Sequence, residues 1–215
     1  MQATLRHFAD QGWLVLRPSY PLATDDYPTW QSAPQAVADA CAWICEHAAE
    51  LGGDPDRTVL LGDSVGGGLA LNLANDLTSG TAAGPRPSTL VALYPTVDIE
   101  AVEGVTLFNA GGAARRYTGA TPDSVPERYA AVSASRNLTP GLPPCLIIQG
   151  TADSFVPPKS VPDYADASRE LGNEVSLMHV PLVNHAFDSQ AAGLLGFQLS
   201  TTVAGQFLAG VLTNP

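Results

Sequence analysis

Three side chains in this sequence of 215 residues have the types that nucleophilic catalysis uses. Ser64 stands at the centre of a Gly-x-Ser-x-Gly pattern over residues 62–66, and Asp153 and His185 follow it along the chain. A serine hydroxyl is a poor nucleophile until a base takes its proton, and the usual base is a histidine that a carboxylate orients. This set of residue types predicts acyl transfer through a covalent intermediate on Ser64.

The residues on either side of the pattern predict a sharp turn at the serine. Residues 58–61 are apolar and rich in branched side chains, which indicates a buried strand, and apolar residues recur at helical spacing over 70–77. A chain that passes so quickly from strand to helix holds the serine in a strained conformation, with its hydroxyl pointing out of the sheet. We expect glycine at both ends of the pattern because side chains would come too close there, and we expect the two following glycines to let the helix pack tightly. The alternative is a glycine-rich helix start with an incidental serine.

The proposed acid and base both come just after predicted strands. Asp153 follows an apolar strand at 145–149, and His185 follows another at 175–180. Functional groups in parallel sheets gather outside the carboxyl ends of the strands, so we expect both side chains to converge on Ser64. The chain order serine, aspartate, histidine is the order of this architecture. A turn-forming aspartate and a polar loop histidine are the alternatives.

The other candidate side chains have simpler explanations. His7 is expected on a helix, and His47 near a helix C-terminus, where a cation is favourable. His179 is expected inside a strand, packed and hydrogen-bonded. Asp63 is expected to support the turn at the serine. Asp98 and Asp188 are weaker candidates for the acid.

Helices and apolar strands alternate along the rest of the chain. Five helices are predicted: at 3–10, from an N-cap at Ser32 to about 51, from the serine turn to 77, at 161–171 and at 189–210. Five buried strands are predicted: at 13–16, 58–61, 90–94, 145–149 and 175–180. This alternation predicts an α/β fold, with a mostly parallel sheet and helices on both faces. The length fits a single domain over 1–215, in which the irregular segment 95–144 is an insertion or a lid.

Composition restricts the possible partners. A net charge of −11 argues against nucleic acid, whose phosphates require clustered Lys and Arg. Cys41, Cys45 and Cys145 lack the spacing of metal ligands, so we expect free buried thiols, no metal and a cytoplasmic rather than a secreted location. The sequence has no run of eighteen apolar residues and no secretory signal at its start, so no membrane span is expected.

The motifs resemble those of the hormone-sensitive-lipase-like esterases of the α/β-hydrolase superfamily. Residues 62–67 look like the nucleophile motif of that family, 150–157 like its acid-bearing loop, and His185-Ala186-Phe187 like its His-x-Phe. Three further segments match the family: 52–57, 93–95 and 20–23, the last with a proline in place of an arginine. The resemblance runs from about residue 1 to about residue 200. The resemblance implies an α/β-hydrolase fold and hydrolysis of short-chain carboxylic esters without a cofactor.

The sequence departs from that family at its beginning. Family members carry a His-Gly-Gly segment before the helix at 3–10, and it supplies backbone N–H groups to the oxyanion hole, whereas His7 is not followed by glycines. The donor that remains is the N–H of Val65, aided by the dipole of its helix. The family also has an internal strand between those equivalent to 13–16 and 58–61. We therefore expect an N-terminally truncated enzyme, or a sheet that is rearranged or completed by a partner.

Two alternatives to an ester hydrolase stay open. A serine peptidase or amidase on the same fold would use the same three side chains, since both reactions transfer an acyl group to water. A catalytically impaired fragment, lacking most of its oxyanion hole and retained for binding, is the second alternative. The expected partner of the enzyme is a small-molecule ester, and the motifs do not set an oligomeric state.

Overall fold

The core of the protein is a parallel β-sheet, seen in a computed structural model that describes residues 2–188 and 194–213. Its strands are β1 (Val59–Asp63), β2 (Thr89–Leu93), β3 (Cys145–Gly150) and β4 (Val175–Val180), in the spatial order β1-β2-β3-β4. Pairing is parallel throughout, with Val59 opposite Thr89, Leu90 opposite Cys145, and Cys145 opposite Val175. The positions of the four downstream strands are therefore confirmed, whereas their predicted burial holds for β2 and β3: β1 is mostly half-buried, and β4 has exposed side chains at Ser176 and His179.

Helices occupy most of the connections between the strands. They are α1 (Gln2–Asp10), α2 (Ser32–His47), α3 (Ser64–Ser79), α4 (Ile99–Glu103), α5 (Ala110–Thr118), α6 (Pro126–Ala131), α7 (Ser160–Glu170) and α8 (Leu195–Thr213), with short 3₁₀ turns at Pro55–Arg57, Leu107–Asn109 and Ala134–Arg136. The predicted helix over 189–210 begins at 195 within the described residues, and its positions 189–193 lie outside them.

The two faces of the sheet follow the alternation of side chains along each strand. Leu90 and Ile147 point to the face that α3 and α7 cover. Val91 and Ile148 point to the other face, which Phe8 of α1 and Leu208 of α8 cover. Every residue of β2 and β3 is buried, so both faces carry apolar cores, as predicted.

Residues 13–16 do not form the predicted strand. They carry no regular secondary structure, and in the part of the chain that the structure describes no strand pairs with them. A groove of about 960 Å³ separates the segment 11–20 from β1, and Leu14 is 41% exposed. A strand needs a neighbour for its backbone N–H and C=O groups, so apolar composition alone does not produce one here.

The start of α2 also differs from the prediction. Ser32 is the first helical residue rather than the N-cap, and Gln31 occupies the cap position without a side-chain capping bond. The helix ends at His47, and residues 48–52 continue as turns. Ser and Thr are favoured at the cap itself, and the observed start differs from the predicted one by a single residue.

The segment 95–144 contains α4, α5 and α6 rather than irregular chain. Its small core of Ile99, Ala114, Tyr129 and Val132 packs against Trp30. The Thr29 N–H donates to the carbonyl of Tyr117 at 3.1 Å, and the Arg128 guanidinium lies 5.4 Å from the Trp30 ring centroid. The segment is thus fastened to the loop before α2, and its role as a lid stays a prediction.

Helix α8 is apolar for most of its length. Its stretch Leu195–Leu212 has a mean hydropathy of 1.2 and is, by length and composition only, long and apolar enough to cross a membrane. Of this stretch, 33% is buried inside the protein. Ala204 and Leu208 of this helix are 2% exposed and pack in the core beside β2 and β3. A helix that packs in the core of a globular protein can pass the same test of length and composition.

Candidate active site

The carboxyl ends of three strands bring the predicted site residues together. Ser64 follows β1 directly, Asp153 lies three residues after β3, and His185 lies five residues after β4. The Ser64 Oγ is 2.8 Å from His185 Nε2, and His185 Nδ1 is 2.9 Å from Asp153 Oδ2. Both distances are those of hydrogen bonds, so one continuous relay joins a hydroxyl, an imidazole and a carboxyl group.

Ser64 lies in a strained turn between β1 and α3. Its φ angle is +51°, in the left-handed region that non-glycine residues seldom adopt at a cost of about 1–3 kcal/mol. The Thr96 N–H donates to the carbonyl oxygen of Ser64 at 3.0 Å, which ties the turn to the chain after β2. This turn confirms the expected strained conformation of the serine.

The four glycines of the turn have different roles. A Cβ at Gly62 would lie 2.4 Å from the carbonyl oxygen of Gly66, whereas a Cβ at Gly66 would meet only Asp63 Oδ1, at 3.7 Å. The predicted crowding is therefore real at the first glycine and wrong at the second. Gly67 and Gly68 approach the chain after β2 closely, with a Cβ at Gly68 falling 2.3 Å from the Thr96 carbonyl oxygen. Their absence of side chains lets α3 pack against that chain as well as against β1.

Asp153 is held by donors on both carboxyl oxygens. Its Oδ1 accepts the N–H groups of Phe155 and Val156, each at 2.9 Å, and its Oδ2 accepts the Gln149 amide at 3.0 Å as well as His185. Burial by itself would raise the pKa of the Asp153 carboxyl, but the bonds from His185 and the two N–H groups outweigh it and hold that pKa below its usual range. Asp153 is thus an ionised acceptor at neutral pH.

The ionised carboxyl sets the proton positions on His185. A carboxylate only accepts, so Nδ1 of the neutral imidazole carries the hydrogen and Nε2 is left to accept from the Ser64 hydroxyl. The imidazole also lies between two rings, with Phe155 stacked at 4.8 Å and Tyr94 edge-on at 4.6 Å between centroids. The arrangement presents a base to the serine and restricts its rotation.

The loop that carries His185 is joined to the loop that carries Asp153. Asn184 Oδ1 accepts from Ser154 N–H at 3.0 Å and from Ser154 Oγ at 2.9 Å, and the Ala152 N–H donates to the Val183 carbonyl at 3.1 Å. Two loops that are 32 residues apart in the chain therefore behave as one support for the base and the acid. Asn184 was not among the predicted site residues. Its position next to His185 was the one local indication of this bridging role.

The other candidate residues lie outside the relay. His7 on α1 contacts Gln11, and His47 stacks on Trp43 at the end of α2. The prediction for His179 was wrong: it lies in β4, at the edge of the sheet that the described residues form, and its side chain is exposed. Asp98 caps α4 through the Glu100 and Ala101 N–H groups.

Two further carboxyl groups lie near the relay. Asp63 precedes α3 but its side chain makes no capping bond, so it does not support the turn in that way. Burial raises the pKa of the Asp63 carboxyl, and the charge of Asp188 adds to the rise. Asp188 is fully buried and accepts a hydrogen bond from Tyr94. Neither carboxyl group is the partner of His185 Nδ1.

Val65, predicted as the oxyanion donor, follows Ser64 at the start of α3. It is the second residue of the 16-residue helix α3, so its N–H has no acceptor within the helix. The positive end of the helix dipole adds to the field at this point. Within the described ranges, no three His, Cys, Asp or Glu side chains group as metal ligands.

Comparison with known proteins agrees with this architecture. A parallel sheet that carries a serine turn, an acid and a histidine after three of its strands, in that chain order, defines the serine hydrolases of the α/β type. A family model described as alpha/beta hydrolase fold matches residues 2–189, and the chain belongs to that family. The resemblance to its hormone-sensitive-lipase-like esterases is confirmed by the relatives.

Three similar proteins illustrate the match. A probable carboxylic ester hydrolase, LipM of Mycobacterium tuberculosis, is 25% identical over 96% of this chain and 49% of its own length. The acylamino-acid-releasing enzyme of Arabidopsis thaliana is 30% identical over 72% of this chain and 20% of its own. The propionate-bound esterase Est2 of Thermogutta terrifontis is 26% identical with a TM-score of 0.66, covering 86% of this chain and 67% of that one. The chain thus spans about half or less of the length of these two curated relatives.

Proposed function

We propose that this protein hydrolyses small carboxylic esters through an acyl-enzyme on Ser64. The observation that carries the proposal is the pair of hydrogen bonds from Ser64 to His185 and from His185 to Asp153, at 2.8 and 2.9 Å. The esterase names of relatives that cover nearly the whole chain support the same reaction.

The reaction takes two steps. His185 Nε2 accepts the hydroxyl proton while Ser64 Oγ forms a bond to the ester carbonyl carbon; the C–O bond to the alcohol then breaks, and the alcohol leaves with that proton. In the second step water forms a bond to the acyl carbon and gives a proton to His185; the bond from that carbon to Ser64 Oγ then breaks, the acid is released, and His185 returns the proton to Ser64 Oγ. Asp153 stabilises the imidazolium that forms in both steps.

The N–H of Val65 is proposed as an oxyanion donor. It is adjacent to the nucleophile and lies in the first turn of α3. A missing oxyanion donor typically lowers the rate about 10²–10³-fold, so the number of donors strongly affects turnover. A short acyl chain is the favoured substrate, because a similar esterase has been seen with propionate bound. A neutral ester fits a chain of net charge −11 better than an anionic one does.

The test combines covalent labelling with turnover. A fluorophosphonate should label the protein, and Ser64→Ala should abolish the label, whereas Ser79→Ala at the other end of α3 should keep it. Asp153→Asn should remain folded and lose roughly 10⁴-fold in kcat on p-nitrophenyl acetate, because the imidazole then takes the wrong tautomer. Labelling that persists in Ser64→Ala would show that another residue is the nucleophile.

Two further measurements separate the alternatives. Faster cleavage of an acetylated amino-acid anilide than of the matching ester would favour an amidase, the activity that the name of the Arabidopsis relative suggests. Labelling of Ser64 without ester turnover would favour the impaired alternative, because labelling reports an activated serine but not the completion of a catalytic cycle.

A further inference from the structure

Tyr94 is a buried tyrosine with an unusual backbone at the end of β2. Its side chain is 1% exposed and its φ angle is +37°, in the left-handed region. Its N–H donates to the carbonyl of Ile148 at 2.7 Å, which extends the pairing of β2 with β3 by one residue. A tyrosine is rarely held in such a conformation without a reason in its surroundings.

The ring of Tyr94 contacts the loop that carries His185 at two places. It lies edge-on to the imidazole at 4.6 Å and 63°, and edge-on to Phe187 at 5.2 Å and 71°. Phe155 covers the imidazole at 4.8 Å and 27°. The histidine therefore lies between two aromatic side chains that come from different loops.

The hydroxyl of Tyr94 is held by a buried carboxyl group. It donates to Asp188 Oδ1, and Thr4 of α1 donates to Asp188 Oδ2 at 3.0 Å. Asp188 is 0% exposed, and in residues 2–188 and 194–213 it forms no ion pair. Burial raises the pKa of Tyr94 far above its usual range, and the bond to Asp188 and the charge of Asp63 add to the rise, so its hydroxyl stays a donor.

These contacts lock one side of the site. Tyr94 touches His185, Phe187 and Asp188, which lie on one face of a turn where Ala186 has a φ angle of +58°. We propose that Tyr94, held by the carboxyl group of Asp188, is a positioning residue that keeps the imidazole of His185 aimed at Ser64. This inference rests on the proposed role of His185 as the base.

The hydroxyl, rather than the ring, distinguishes positioning from simple packing. Tyr94→Phe keeps the ring and removes the bond to Asp188, so the loop loses its attachment while the aromatic contact remains possible. We expect roughly fivefold slower phosphonylation of Ser64 and a similar fall in kcat for p-nitrophenyl acetate, the factor that loss of one hydrogen bond supplies. KM should not change, because the hydroxyl contacts Asp188 and not the substrate.

Tyr129→Phe is the matched control. Tyr129 is 0% exposed, and its hydroxyl donates to the Ala120 carbonyl at 2.9 Å, away from the relay. Each variant removes one hydrogen bond from a tyrosine, and Tyr94→Phe should lower thermal stability more, because its bond goes to a buried carboxyl group and that of Tyr129 to a neutral carbonyl. Only Tyr94→Phe should slow labelling and lower kcat.

A proton NMR measurement tests the positioning without turnover. The His185 Nδ1–H shared with Asp153 should give a low-field resonance, identified by its loss in Asp153→Asn. In Tyr94→Phe this resonance should move or exchange faster with water, and in Tyr129→Phe it should stay as in the unsubstituted protein. Asp188→Asn, which keeps an acceptor for Tyr94 but replaces a charge-assisted bond with a weaker one, should give an intermediate change.

The outcomes separate this inference from the proposed function. An unchanged resonance in Tyr94→Phe, together with labelling as fast as in Tyr129→Phe, would overturn the positioning role. A changed resonance with slower labelling supports it. If neither the unsubstituted protein nor any variant is labelled, the proposed hydrolytic function is refuted. The NMR resonance alone then decides whether Tyr94 positions His185.

Discussion

Replacing Gly62 by alanine tests the structure of the serine turn most directly. The new Cβ would lie 2.4 Å from the Gly66 carbonyl oxygen, 2.5 Å from its carbonyl carbon and 2.7 Å from the Gly67 nitrogen. All three are backbone atoms in the first turn of α3, so no side chain can rotate to make room. Relief requires the helix to move away from β1, and Ser64 lies between them.

The size of the effect follows from the kind of contact. Overpacking a buried position typically costs about 1–3 kcal/mol, and a contact with rigid backbone belongs in the upper half of that range. Each kcal/mol lowers Tm by about 2–4 °C in a chain of 150–250 residues. We therefore expect Gly62→Ala to lower Tm by roughly 4–12 °C and to slow fluorophosphonate labelling of Ser64 strongly.

The matched control is the other glycine of the same pattern. Gly66→Ala would place its Cβ 3.7 Å from Asp63 Oδ1, an ordinary contact, and alanine is favoured over glycine within a helix, so Tm should not fall. Calorimetry gives Tm, and gel fluorescence of a tagged fluorophosphonate gives the labelling rate. A Gly62→Ala protein that melts with the unsubstituted one, or a Gly66→Ala protein that falls as far, would refute the reasoning.

The remaining predictions concern titrating groups. Burial raises the pKa of the Asp63 carboxyl, and the charge of Asp188 adds to the rise. Ionisation of Asp63 therefore lowers the stability of the folded protein at pH 7. This cost is lost as pH falls through the pKa of Asp63 in the folded protein towards its lower value in the unfolded chain. Asp63→Asn should therefore unfold at higher urea concentration than the unsubstituted protein at pH 7, with an advantage that shrinks towards about pH 4; equal midpoints at pH 7 would contradict this. Burial also raises the pKa of Cys145 to about 12 and, together with Cys45, that of Cys41 to about 11. A disulfide reagent at about pH 8 should thus react with at most one thiol in the folded protein, Cys45, and with all three after denaturation, so native reaction that survives Cys45→Ser would argue against it.

Local sequence determined the strands and the turn that carry the chemistry. Apolar runs at 90–94 and 145–149 are enough to predict buried parallel strands, since period and composition are properties of a few neighbouring residues. The glycine pattern around Ser64 predicts its strained turn for the same reason. The positions of Asp153 and His185 just after strand ends predict that both reach one edge of the sheet, where the structure has them.

Tertiary structure decided whatever depends on residues distant in the chain. Residues 13–16 have strand composition but no neighbouring strand, and segment 95–144 folds into helices that pack on Trp30. The contact of Tyr94 with His185 and the bond from Tyr94 to Asp188 join positions about ninety residues apart, which no local pattern encodes. Hydrogen-bond partners and steric contacts of this kind exist only once the chain is packed, because each depends on where two separate segments meet.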